Sequence, residues 1–184
     1  MAMPEFEAGP VAVRRIEPLA VVALRHLSGG GEALAAALRA VGVTDVPGPA
    51  QALGSGRPPG TWALWRSPSE VTLLAFERAT ADTALAALSA ESLACAVDQT
   101  DGTLALELQG PQVDELLQRL VDSRSLPVEP GCAARARLAD IAVTLVRMRP
   151  ATLWLLTDRS QAQYLASWLA YAGAALPTTS SAAR

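Results

Sequence analysis

Residues 131–172 constrain the fold most strongly, because they contain three apolar segments in close succession. Residues 134–139 alternate small apolar side chains with Arg135 and Arg137, a period of two that predicts a strand with one solvated face. Residues 141–146 are apolar and β-branched, as in a strand covered on both faces. Residues 153–156, centred on Trp154, predict a third strand.

A helix is predicted to close this block. Ser160 and Gln163 have the spacing of a capping box, so the helix should begin at Ser160. Its apolar stripe should bury Trp168 and Leu169 under the sheet. The full stripe is Tyr164, Leu165, Trp168, Leu169 and Ala172.

The first half of the chain predicts the order β-α-β-β-α-β. Residues 1–15 are rich in Gly, Pro and charge and are interpreted as an N-terminal arm or a loose strand. Strands are expected within 16–27, 61–65, 70–76 and 93–97, and helices in 32–42 and 80–88. Residues 46–60, rich in Pro and Gly, should be a surface loop. The glycines of residues 28–31 match no phosphate-binding motif, so they are interpreted as a flexible connection.

The second half predicts β-α-β-β-β-α. Asp98 and Asp101 lie in a turn over residues 98–102, whose Asp-Gly pair suits a tight hairpin. Residues 103–109 should form a strand with Leu104, Leu106 and Leu108 inward, followed by a helix after residue 111. Two ferredoxin-like modules, 16–98 and 99–175, therefore build one α+β domain with antiparallel sheets over residues 16–175. Residues 176–184 are expected to be a disordered tail.

The composition favours a protein with a partner chain. Hydrophobic residues make up 51% of the chain and charged residues 18%, so either an apolar interface is present or alanine inflates the figure. All 15 basic residues are arginine, which excludes a Schiff-base lysine and a phosphate-loop lysine. A net charge of −3 argues against nucleic acid as the main partner. With no visible signal peptide and no run of about 20 apolar residues, a cytoplasmic protein without membrane contact is expected.

The residues do not predict a catalytic site. His26 is the single histidine and cannot form a multi-histidine metal site; it is interpreted as a surface or packing residue. Cys95 and Cys132 are distant in sequence and are expected to be buried, reduced thiols. Asp114 and Glu115 are adjacent on a helix and should point in different directions. No catalytic, cofactor-binding or metal-binding residue is therefore assigned.

Five motifs carry a resemblance to a known family. They are W-x-x-W-R-S-P-S-E (62–70), A-x-A-V-D-Q-T-D-G (94–102), L-x-L-Q-G-P (106–111), P-G-C-A-x-R-x-R-L-A-D-I-A-V (130–143) and L-L-T-D-R-S-x-A-x-Y-L-x-x-W-L (155–169). Spread over residues 19–172, they resemble the gamma subunit of heterotetrameric sarcosine oxidase. The same elements resemble the wider aminomethyltransferase folate-binding-like fold. The middle loop of this chain is shorter and rich in Pro and Gly, which leaves its membership within that group open.

The resemblance implies a non-catalytic subunit of an oxidoreductase complex in sarcosine catabolism. Such a complex demethylates sarcosine to glycine, with hydrogen peroxide and formaldehyde or methylene-tetrahydrofolate as further products. FAD, FMN, NAD and tetrahydrofolate are implied in the alpha and beta partner subunits, beside a small delta subunit, and no cofactor on this chain. The implied flavin-attachment histidine belongs to another subunit.

Two other functions stay open from the sequence. One is a stand-alone folate-binding or aminomethyltransferase-like protein, and the other is an interaction module serving a related N-methyl amine oxidase. If the chain is a subunit of the oxidase complex, Arg135 and Arg137 are candidate contacts to a partner chain. The alternative is that they are solvated surface arginines.

Overall fold

The computed structural model describes residues 5–17, 19–54 and 60–177. Within them the strands are β1 Phe6–Ala8, β2 Val11–Arg15, β3 Ala20–His26, β4 Ala52–Gly54, β5 Thr61–Ser67, β6 Glu70–Ala75, β7 Ala94–Asp98, β8 Thr103–Gln109, β9 Ala133–Leu138, β10 Ile141–Arg149 and β11 Thr152–Asp158. The helices are α1 Gly31–Ala40, α2 Arg78–Ala87, α3 Val113–Gln118 and α4 Ala162–Ala174. The expected α+β fold with two antiparallel sheets is confirmed.

The chain divides into two compact units. The five-stranded unit comprises the described part of residues 17–103, together with residues 131–133. Its sheet has the order β4-β5-β6-β3-β7. One face of this sheet packs against α1 and α2 through a core that includes Leu24, Leu34, Leu38, Leu73 and Ala84. Alternating side chains on β3, with Val22 and Leu24 in this core, explain why the strand faces the helices on one side.

The six-stranded unit comprises residues 5–16, 104–130 and 134–177 among those described. Its sheet has the order β1-β2-β8-β11-β10-β9. Leu104, Leu106 and Leu108 on β8 point into its core, as the alternation predicted. Leu117 of α3 and Leu169 of α4 contribute to the same core.

The N-terminal residues form two paired strands, where the sequence left an arm or a loose strand open. β2 pairs with β8 in antiparallel register, Val13 opposite Leu108, and β1 pairs with β2. In the six-stranded sheet β2 lies between β1 and β8, and β1 forms the edge. Ala8, Val11 and Val13 are buried, and that burial holds these strands in the sheet.

Two further differences concern the ends of elements. The turn over residues 98–102 forms, but the hairpin prediction is wrong, because β7 pairs with β3 whereas β8 lies between β2 and β11. Leu176, assigned to a disordered tail, is buried in the core of the six-stranded unit. The rest of that predicted tail, residues 178–184, lies outside the described residues.

The Pro/Gly-rich stretch and the glycine turn are also more structured than expected. β4 lies within the predicted surface loop and pairs with β5, while residues 55–59 lie outside the described part. At Gly30 a Cβ atom would overlap the main chain of Leu93, so this glycine permits a close backbone approach and is more than a flexible connection. Among the described residues, no helix is long and apolar enough to cross a membrane.

Candidate interaction surface

The start of α4 differs from the predicted capping box. Asp158 accepts a hydrogen bond from the amide of Ser160 at 2.9 Å and caps a short 3₁₀ turn, Arg159–Gln161. α4 then begins at Ala162, with Gln161 at its N-cap and no side-chain capping bond. Ser160 is therefore not the cap of α4, because it lies inside the 3₁₀ turn and its own amide donates to Asp158. Hydrogen bonds from the Ser160 amide and hydroxyl lower the pKa of Asp158.

The buried side of α4 is narrower than the predicted stripe. Leu165, Leu169 and Ala172 are buried, as expected. Gly173 is also buried, and a Cβ atom there would overlap the main chain of Ala8 in β1. The prediction that Trp168 lies under the sheet is wrong: its residue surface is 36% exposed. Gly173 faces β1 in this close approach, and Trp168 lies on the partly exposed side of α4.

Three aromatic residues form a continuous exposed surface on α4, called here the α4 aromatic face. Tyr164, Trp168 and Tyr171 are 44%, 36% and 73% exposed. The ring centroids of Tyr164 and Trp168 lie 6.2 Å apart, and those of Trp168 and Tyr171 lie 5.8 Å apart, both in edge-to-face geometry. The Tyr164 hydroxyl donates a hydrogen bond to the Ala139 carbonyl at 2.9 Å, which fixes one end of the row. The arrangement presents rigid apolar rings to solvent.

A groove of about 370 Å³ adjoins the α4 aromatic face. Trp168 and Tyr171 line one side and Arg119 and Leu120 the other; Ala172, Ala174 and Ala175 complete it. Arg119 lies 3.5 Å from Glu115, an exposed pair that contributes little to stability. Trp, Tyr and Arg are the residues enriched where protein interfaces carry most of their binding energy. This surface can therefore bury apolar side chains of another chain beside a cationic group.

Arg135 and Arg137 both lie on β9 with exposed side chains, so the solvated face of that strand is as expected. Arg137 donates a hydrogen bond to the Asp140 carbonyl at 2.7 Å and lies 3.7 Å from the Asp140 carboxylate. Their role as partner contacts stays a prediction.

Arg147 was missed by the sequence interpretation. It follows Val143 and Leu145 in the alternation of β10, so its side chain points toward the core and is 2% exposed. Its guanidinium donates to the Pro127 carbonyl at 3.0 Å, to the Pro150 carbonyl at 3.1 Å and to the Asp114 carboxylate. The alternation of β10 was the signal that could have found it. These contacts join β10, α3 and two loops, which is a structural role.

The two acidic side chains on α3 diverge as predicted. Asp114 contacts Arg147, whereas Glu115 faces Arg119. They form no carboxylate pair of the kind used in acid–base catalysis.

Asp98 has a structural explanation as well. Burial tends to raise the pKa of Asp98, but hydrogen bonds from the Thr100 hydroxyl and amide, and the bond and charge of Arg78, together lower it. The hydrogen bond from the Thr100 amide to the Asp98 carboxylate measures 2.9 Å, and the one from the Arg78 guanidinium measures 2.6 Å. The carboxylate thus holds the turn after β7 and ties it to α2.

The remaining reactive side chains are dispersed. Both ring nitrogens of His26 lie near carbonyl oxygens, Nδ1 at 2.9 Å from Leu27 and Nε2 at 3.2 Å from Pro68. Cys95 and Cys132 are free thiols, as expected, but neither is fully buried. Cys132 is half-buried, and Cys95 is exposed because its side chain projects from an edge strand away from α1 and α2. No group of three or more His, Cys, Asp or Glu side chains able to hold a metal ion occurs among the described residues.

Comparison with known proteins gives structural matches without a family assignment from sequence. No protein-family model matches the chain, and no curated protein matches it. The chain is similar to a chain of a heterotetrameric sarcosine oxidase from Corynebacterium sp. U-96, solved in complex with pyrrole 2-carboxylate. The TM-score is 0.77 and the identity 28%, over 89% of this chain and 84% of that one. The resemblance found in the sequence motifs is confirmed.

A second match shows how widely the fold occurs. The chain is similar to the glycine cleavage system aminomethyltransferase T from Bartonella henselae, with a TM-score of 0.60 and 14% identity. The match covers 88% of this chain and 45% of that protein, so the chain spans less than half its length. At this identity the likeness shows the fold alone, and the predicted relation to aminomethyltransferase-like domains is confirmed at that level.

Proposed function

We propose that this chain is the non-catalytic gamma subunit of a heterotetrameric, flavin-dependent sarcosine oxidase and serves in its assembly. The observation that carries the proposal is the match to a chain of such an oxidase across most of both chains. A match of that extent relates most of one chain to most of another, whereas the aminomethyltransferase match involves a part of a longer protein. The reaction proposed for the complex is oxidative demethylation of sarcosine with release of hydrogen peroxide.

In this proposal the cofactors belong to the alpha and beta subunits, and a small delta subunit completes the complex. FAD, FMN, NAD and tetrahydrofolate would supply electron transfer and one-carbon transfer there. The dispersed reactive groups of this chain support that division. Both nitrogens of His26 lie near main-chain carbonyls, an environment that does not fit covalent flavin attachment.

We assign the contact with the larger subunits to the α4 aromatic face and its groove. The three rings are exposed together, and Arg119 at the groove can donate hydrogen bonds to a carboxylate of the partner. Arg135 and Arg137 extend the candidate surface with positive charge. Aromatic anchors near the centre of an interface commonly dominate its affinity, so Tyr171 is the side chain to test first.

The experiment is co-purification through a tag on this chain, expressed together with the two larger chains that accompany it. We expect all chains to elute together with flavin absorbance, and the lone chain to elute without it. Tyr171→Ser should weaken assembly by about tenfold or more, because it removes an exposed aromatic anchor. Val128→Ser is the matched control, since Val128 is 83% exposed and lies in the same unit but away from the groove lining. A stable lone chain without affinity for the larger chains would contradict the proposal.

The alternative functions are separated by two further measurements. Titration calorimetry of the lone chain with tetrahydrofolate should give no binding heat; measurable binding would favour a stand-alone folate-binding protein. Competing N-methylated amines, assayed on the purified complex, should give less peroxide than sarcosine. If another N-methylated amine gave more peroxide than sarcosine, the proposed assembly role would stand, and that amine would be the substrate of the complex.

A further inference from the structure

The β7 edge is less protected than the other three sheet edges. Exposed edges are commonly shortened or charged, which prevents unwanted strand pairing. β1 and β4 each have three residues, and β4 is flanked by the bridge between Gln51 and Cys132. β9 carries two exposed arginines. β7 has five residues, Ala-Cys-Ala-Val-Asp, without proline or a basic residue.

The register of β7 determines which main-chain groups face outward. The Leu27 amide donates to the Leu93 carbonyl, and the Gln99 amide donates to the Val21 carbonyl. In this antiparallel ladder the odd-numbered residues of β7 therefore exchange hydrogen bonds with β3. The amides and carbonyls of Ala94, Ala96 and Asp98 point to the open edge, where an extended chain could pair with them.

The side chains beside this edge indicate what such a chain would contain. Leu27, Leu93, Cys95 and Val97 are exposed and share the sheet face opposite α1 and α2. An added strand would cover this apolar row with its own alternate apolar side chains. Asp98 is already paired with Arg78, but Glu91 and Asp101 lie on either side of β7, and residues 88–102 contain no basic residue. Basic side chains flanking the added strand would therefore be complementary.

The same charges disfavour pairing with a second copy. Glu91 and Asp101 lie in the connections at the two ends of β7, so antiparallel pairing of two β7 strands would bring the acidic connection of one copy near that of the other. Like charges brought close together disfavour such pairing. A segment of a different chain avoids this repulsion.

We propose that an extended segment of a partner subunit, apolar at alternate positions and flanked by basic residues, adds to β7 as a further strand of the five-stranded sheet. This inference rests on the proposed assembly function. It assigns a contact distinct from the α4 aromatic face, made through main-chain hydrogen bonds.

Residue-resolved hydrogen exchange on the purified complex and on the lone chain tests this pairing. We expect the amides of Ala94, Ala96 and Asp98 to exchange about tenfold or more slowly in the complex, because they gain hydrogen bonds there. The amides of Cys95 and Val97 are an internal control, since they bond to β3 in both forms. Equal exchange of the outward amides in both forms would overturn the inference while leaving the assembly function intact.

A charged substitution gives an independent readout. Val97→Lys should weaken assembly by about tenfold, because a lysine on an edge opposes strand addition. Val128→Lys makes the same exchange at an exposed site away from β7 and should leave assembly unchanged. Equal assembly of both variants would count against the inference. If Val97→Lys fails to fold, the hydrogen-exchange measurement still tests the pairing, because it uses the wild-type chain. Recovery of the chain without partners would contradict both proposals, and a homodimer with protected outward amides would identify a second copy as the occupant.

Discussion

Replacing Asp114 by asparagine isolates the electrostatic part of the contact that holds Arg147. The Arg147 side chain is 2% exposed, whereas the Asp114 side chain is 49% exposed. Asp114→Asn leaves the buried guanidinium with two carbonyl acceptors and without its counterion. Arg147→Met removes the cation and leaves Asp114 in contact with water.

The magnitudes follow from this asymmetry. Breaking a fully buried ion pair costs about 3–5 kcal/mol, and the exposure of Asp114 reduces that range to about 2 kcal/mol for Asp114→Asn. Arg147→Met deprives the Pro127 and Pro150 carbonyls of charged donors, and we expect it to cost about 3 kcal/mol. In the Arg147→Met background, Asp114→Asn should cost close to zero, because the carboxylate no longer has a buried partner.

Urea unfolding of the wild type, both single variants and the double variant measures this coupling. We expect an interaction free energy of about 2 kcal/mol in the cycle, with unchanged m-values. If Asp114→Asn had the same cost with and without Arg147, to within about 0.5 kcal/mol, the assigned ion pair would not contribute to stability.

Four other substitutions test the packing and the charge assignments. Leu169→Ala should lower the free energy of unfolding by about 3 kcal/mol, whereas Trp168→Ala should cost about 1 kcal/mol because Trp168 is partly exposed; equal losses in urea unfolding would contradict the assigned helix orientation. Gly173→Ala should lower the thermal midpoint despite the better helix propensity of alanine, since the added methyl meets the main chain of Ala8, and a raised midpoint would refute that close approach. The pKa of Asp98 is lowered in the folded state. Its contribution to the free energy of unfolding is therefore fully present above the unfolded pKa of about 4 and is lost as pH falls through the folded pKa. Stability curves of wild type and Asp98→Asn should therefore converge in acid, and parallel curves would contradict this linkage.

Local sequence patterns predicted residues 131–172 better than the rest of the fold. β9, β10 and β11 lie at the predicted alternating and apolar segments, and α4 follows them. Each signal lies within one element, so it does not depend on distant residues. The details that failed, the cap at Ser160 and the burial of Trp168, depend on the preceding Asp158 and on contact with β1.

The N-terminal strands could not be recognised in the same way. β2 owes its place to pairing with β8, which is distant in sequence, and its glycine- and proline-containing surroundings suggested a loose arm. The false hairpin at residues 98–102 has a similar cause, because an Asp-Gly turn does not specify which strands pair.

The candidate interaction surface was only partly accessible from sequence. Arg135 and Arg137 were found because their strand alternates. The α4 aromatic face was missed, because two of its rings were placed in the buried stripe and the groove depends on residues from two separate elements. The open β7 edge likewise appears only when the order of the strands is known.

Sarcosine-dependent peroxide formation per flavin is the measurement that tests the proposed role most directly. It should be compared for the lone chain, for the larger chains expressed without it, and for the complete complex at matched flavin concentration. We expect no turnover by the lone chain, turnover by the complete complex, and a loss of assembled, active enzyme when this chain is omitted. Turnover by the lone chain, or full assembly and activity without it, would contradict the proposed function.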